Sequence, residues 1–87
     1  MTAVAEIKSN RLKCIYGNKV TLLNLRTNET FNYELVHYQS EKLAEGKISN
    51  YTAVGKAIWA KEEGAEVMIE IPGYGRDLYR IEKIVNA

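Results

Sequence analysis

Apolar and polar positions alternate along residues 19–25, 30–37, 66–71 and 78–85, the period of a strand with one buried face. In the first stretch Val20 and Leu22 share one face, and Thr21, Leu23 and Leu25 the other. In the second, Phe31, Tyr33 and Leu35 oppose Thr30, Asn32 and Glu34. The polar Arg26-Thr-Asn-Glu29 step between them predicts an antiparallel hairpin, because Asn tolerates turn geometry. In the third, Val67, Ile69 and Ile71 point inward and Glu66, Met68 and Glu70 outward. Pro72-Gly-Tyr-Gly75 then predicts a tight turn into the last strand. There Tyr79 and Ile81 share a face and Ile84 breaks the phase, which predicts a bulge near Glu82-Lys83.

Helical spacing occurs once. Val54, Ala57 and Ile58 form one stripe, Thr52 precedes it as an N-cap, and Lys61 and Gly64 mark its expected end. A polar connection over residues 38–47 leads up to it. Leu12 to Tyr16 is a short apolar segment stopped by Gly17-Asn18. Residues 1–11 read as a tail or linker end, with a short strand near 5–7. The order strand, strand, connection, helix, strand, strand predicts an α+β fold: a mostly antiparallel twisted sheet with one short helix packed on it. Gly46, Gly55, Gly64 and Gly73 recur every nine residues. Their surroundings differ, so the spacing is coincidence.

With 87 residues the chain has room for one domain. Its 46 % apolar content predicts a folded globule. A net charge of +1 argues against a direct grip on nucleic acid. No apolar run is long enough to span a membrane. The lone Cys14 excludes an internal disulfide, and a reducing cytoplasm is the expected setting.

The search for chemistry yields no catalytic constellation, no metal site and no cofactor motif. His37, the single histidine, lies at a strand end with no nearby nucleophile. Cys14 sits among apolar neighbours as a small hydrophobe. Glu62 and Glu63 are adjacent and diverge, as on a solvated surface. Pro72-Gly-Tyr-Gly75 lacks the helix that a phosphate loop needs. Tyr33 and Tyr79 fall on strand faces as core residues; Tyr16, Tyr38, Tyr51 and Tyr74 fall at turns. Trp59 stands one residue out of the helical stripe, at its edge, and is a candidate partner contact.

Ile15-Tyr-Gly-Asn-Lys-Val-Thr-Leu-Leu-Asn-Leu25 resembles the opening strand of the C-terminal domain of the bacterial transcript-cleavage factors GreA and GreB. The likeness continues in register through Glu29-Thr-Phe-Asn-Tyr-Glu-Leu-Val36, Gly46-Lys-Ile-Ser49 and Gly55-Lys-Ala-Ile58. It closes with Glu63-Gly-Ala-Glu-Val67, Pro72-Gly-Tyr-Gly75 and Tyr79-Arg-Ile-Glu-Lys-Ile84. The resemblance implies an FKBP-like domain over residues 12–87 that docks on RNA polymerase. The family's contact is the largest-subunit coiled coil at the rim of the secondary channel.

The corresponding contact region here is Tyr51, Thr52, Ala53, Gly55 and Lys56. The family's Ser-Pro before the helix is replaced by Thr52-Ala53, and its Asp after the glycine by Ala65. Its cleavage chemistry resides in acidic residues at the tip of an N-terminal coiled coil. Such a hairpin needs about sixty residues at about 1.5 Å each, so residues 1–11 are not expected to supply one. The expectation is a binding module, not an enzyme. Two alternatives stand beside it: a peptidyl-prolyl isomerase, for which one Phe and one Trp are few aromatic residues, and an interaction domain for another partner.

Overall fold

The computed structural model describes residues 12–86. The tail reading of 1–11 and the strand near 5–7 lie outside them. Among the described residues five strands form one sheet in the order β3-β2-β1-β5-β4: β1 Asn18–Asn24, β2 Thr30–Leu35, β3 Lys47–Ile48, β4 Glu66–Ile71 and β5 Gly75–Asn86. All neighbours are antiparallel except β2 and β3, which pair in parallel through Glu34 with Lys47 and Leu35 with Ile48. The fold is α+β, as the alternation predicts. The two-residue β3 and the 3-10 turns Tyr38–Ser40 and Leu43–Glu45 were not expected. They fill the polar connection, and Gly46 ends the second turn in the left-handed region at φ 77°.

The first hairpin turns on one side chain. Asn24 Oδ1 accepts from the backbone N–H groups of Arg26 at 2.8 Å and Thr27 at 3.0 Å. This asparagine-driven turn explains why β1 stops at Asn24 and not at Leu25. The predicted bulge is present. Thr21 pairs with Lys83 and Leu22 with Ile81, so Glu82 is the extra residue. Glu63 Oε2 accepts from the backbone N–H of Ile84 at 2.8 Å. Glu63 is therefore exposed, as expected, and also tied to the bulged strand, a bond that the reading of the pair as solvated surface did not foresee.

Helix α1 spans Ala53–Ile58 and packs against β4. Thr52 caps it, its hydroxyl accepting from the N–H of Gly55 at 3.0 Å. The expected extension through Lys61 to Gly64 does not form. Ala60 turns left-handed at φ 65°, and the chain then pairs with the segment before β1. Ala60 N–H donates to Cys14 O at 2.8 Å, and Cys14 N–H to Lys61 O at 2.9 Å. Those tertiary bonds replace the helical ones that a further turn would have made.

Val20, Leu22, Leu35, Ile48, Ile58, Ile69 and Ile81 form the buried centre, with Val54 and Tyr79 at its margin. Cys14 is fully buried there, and desolvation pushes its thiol up to about 11, so at neutral pH it is an unreactive thiol.

Candidate functional site

The loop before α1 is held by a closed set of hydrogen bonds. Ser49 is fully buried, and both its hydroxyl and its N–H donate to Glu41 Oε2. The same hydroxyl accepts from Tyr51 N–H at 3.1 Å. Thr52 Oγ1 donates to Ser49 O at 2.8 Å while capping the helix. Glu41 lies in the polar connection, so nothing in the local sequence around Ser49 announces this clamp.

Gly55 explains the tightness. A Cβ there would lie 2.0 Å from Ser49 O, far inside contact distance. Only glycine lets the loop carbonyl lie on the helix.

The predicted contact residues therefore divide. Tyr51, Ala53 and Lys56 are exposed and Thr52 is partly exposed, all about one helical turn. Gly55 is buried beneath the loop, so it shapes the site and presents nothing outward. Trp59 lies at the other end of α1, partly exposed.

The fold gathers further rings that the sequence analysis treated singly. Tyr16 packs on His37 with centroids 3.8 Å apart and edge-on to Trp59 at 4.8 Å. Tyr38 meets Tyr51 at 5.5 Å. The Tyr16 hydroxyl donates to Asn50 Oδ1 at 3.2 Å, which ties the first group to the loop carrying Tyr51. The result is an aromatic ledge over the loop. Tyr51 is 72 % and Tyr38 60 % exposed, so large apolar surface is left in water. His37 is thus a packing partner of Tyr16.

A second aromatic region lies away from the ledge. A cleft of about 580 Å³ opens between β2, the start of α1 and the β4–β5 hairpin. Phe31, Tyr33, Tyr74 and Tyr79 wall it, with Val54 and Ile71 beside them. Tyr33 is half-buried: it packs against the core, as expected, and also lines the cleft. The count of one Phe and one Trp missed this, because tyrosines supply most of the rings. At the rim, Arg26 donates to Asp77 through Nε at 2.7 Å and Nη2 at 3.0 Å, and Asn24 Nδ2 donates to the same carboxylate at 3.1 Å. These bonds hold the Asp77 carboxyl below the usual carboxylate range.

Among the described residues no group of three or more His, Cys, Asp or Glu is placed to hold a metal ion. Among them, too, no helix is long and apolar enough to cross a membrane.

Comparison with known proteins agrees with the fold. Residues 12–86 match the family model described as transcription elongation factor GreA/GreB, C-terminal. Transcription elongation factor GreA of Desulfotalea psychrophila is 33 % identical over 70 residues, covering 80 % of this chain and 44 % of that protein. The chain thus spans less than half the length of that relative. Among solved structures, GreA factor homolog 1 (Gfh1) of Thermus thermophilus superposes with a TM-score of 0.76 at 20 % identity, over 91 % of this chain and 52 % of that one, a likeness of fold. The prokaryotic transcription elongation factor GreA/GreB of Nitrosomonas europaea gives 0.66 at 26 % identity, over 79 % and 57 %. By this match across all its described residues, the chain belongs to the GreA/GreB transcription elongation factor family, in the family's C-terminal domain.

Proposed function

We propose that this domain is an RNA-polymerase-binding module that docks through the clamped loop and the first turn of α1. The observation that carries the reading is the Glu41–Ser49–Thr52 hydrogen-bond set, which fixes the loop while leaving Tyr51, Ala53 and Lys56 exposed. A loop ordered before contact loses little further conformational freedom on binding, which favours affinity. Thr52 retains the capping role of the family's serine. Ala53 at the first helical position gives up the rigidity that a proline would add there. The partner surface is the one that family membership suggests, the coiled coil of the largest polymerase subunit at the rim of the secondary channel. The domain acts by binding; contact with nucleic acid runs through the polymerase, in keeping with a net charge of +1.

The test is capture of core RNA polymerase by the chain, with a complete Gre factor in parallel. Retention at about 50 µM is expected, weakened at least about tenfold by Tyr51→Ala combined with Lys56→Glu. No retention while the complete factor binds would overturn the reading. So would equal retention of the double variant.

A further inference from the structure

Helix α1 packs on one face of the β4–β5 hairpin, and the opposite face meets water. An antiparallel sheet covered on one side normally shows polar residues on the other. The middle of this hairpin departs from that rule. Glu66 stands opposite Arg80, Met68 opposite Leu78 and Glu70 opposite Arg76, all on the face away from the core. Met68 is 55 % and Leu78 37 % exposed, and the partly exposed Leu23 joins them on β1, paired with Arg80. Arg80 meets Glu66 at 3.3 Å, and Arg76 meets Glu70 at 3.6 Å. Arg80 also reaches Glu82 at 3.3 Å. An apolar rung therefore lies between two Arg–Glu rungs.

Each rung joins unlike residues, and that makes the face complementary to its own copy. Consider a two-fold axis parallel to the strands, midway between β4 and β5. A second copy laid face to face about that axis sets its Glu66 over Arg80, its Met68 over Leu78 and its Glu70 over Arg76, and the reverse. Turning the copy end for end would instead oppose Arg80 with Arg76 and Glu66 with Glu70. Aligned packing is an ordinary way for two sheets to meet, and a contact of this symmetry closes at two copies. The ion pairs are exposed and add little attraction, so they select the orientation while methionine and leucine supply the burial. We propose that the outer face of the β4–β5 hairpin is the interface of a homodimer, with Met68 of each copy packed on Leu78 of the other. A contact built on one hairpin is small, so the dimer is weak. It uses the face opposite α1 and does not rest on the polymerase reading.

Sedimentation equilibrium of the full chain, from about 10 µM to about 1 mM, should show monomer and dimer with a Kd of about 0.3 mM. Isotope-filtered NMR on a mixed sample should report the Met68 methyl of one copy against Leu78 of the other. Met68→Lys should weaken association at least about tenfold with the unfolding midpoint unchanged, because the side chain is more than half exposed. Glu70→Arg makes its rung wholly basic, and Arg76→Glu makes it wholly acidic. Each alone should lose association, and the two variants mixed in equal amounts should recover it. Tyr51→Ala, on the aromatic ledge, should associate as the unaltered chain does. The proposal is overturned by a chain that stays monomeric at about 1 mM. It is overturned equally by undiminished association of Met68→Lys, by charge variants that associate no better mixed than alone, or by loss of association in Tyr51→Ala.

Discussion

The ledge and the cleft are both built from aromatic rings, yet they are held in opposite ways. The ledge rests on a loop, and its geometry depends on a few hydrogen bonds around one buried serine. The cleft is framed by paired strands, with Phe31 and Tyr33 on β2 and Tyr79 on β5. Strand pairing distributes its support over many backbone bonds, so no single side chain decides its shape. Helix α1 joins the two: Val54 near its start faces the cleft and Trp59 at its end joins the ledge. A change that loosens the loop should therefore leave the cleft largely in place, and the reverse.

Gly55→Ala should break this comparison most strongly. Its Cβ would overlap the Ser49 carbonyl, a backbone atom that cannot rotate away, so α1 and the loop must separate. The expected loss is about 3 kcal/mol in denaturant unfolding, together with loss of polymerase capture. A stable variant with intact capture would show that the close approach is not required.

Glu41→Ala is the sharper instrument. It leaves the buried Ser49 hydroxyl and N–H without their acceptor, for an expected destabilisation of about 2 kcal/mol. Amide exchange should rise at residues 49–52 and stay unchanged at Tyr33 and Tyr79. Equal loosening of both regions would mean that they form one cooperative unit.

Acid separates them from the other side and with the smallest effect. Asp77 titrates below its ordinary range, so its contribution is fully present above the unfolded value of about 4 and is lost as pH falls through the lowered folded value. An acid unfolding series should show Asp77→Asn flattening the pH dependence in that window. An unchanged profile would remove the Arg26–Asp77 pair from the cleft's support.

Much of this arrangement was legible from residue order. The alternation of Val67, Ile69 and Ile71 marked β4 at its observed bounds, since a two-residue period with one buried face has no helical reading. The phase break at Ile84 located the bulge. Thr52 was recognisable as a cap because its hydroxyl acts on a backbone group three residues away. The end of α1 was not legible, because Lys61 and Gly64 are sound local stop signals that lost to bonds with Cys14, more than forty residues upstream. The clamp on Ser49 from Glu41, eight residues upstream, was hidden because no local motif links the two.

The amino-acid sequence by itself determined the α+β class, the strand faces, the capped helix start and the family likeness. These depend on period, on nearest neighbours and on motifs that keep their order. Only the tertiary structure decided which aromatic rings meet. Tyr16, His37 and Trp59 lie in three separate segments, and Phe31 lies more than forty residues from Tyr74 and Tyr79. Strand pairing between distant residues brings them together, and no local rule encodes that distance. The same pairing made Gly55 a buried spacer and Tyr33 the wall of a cleft.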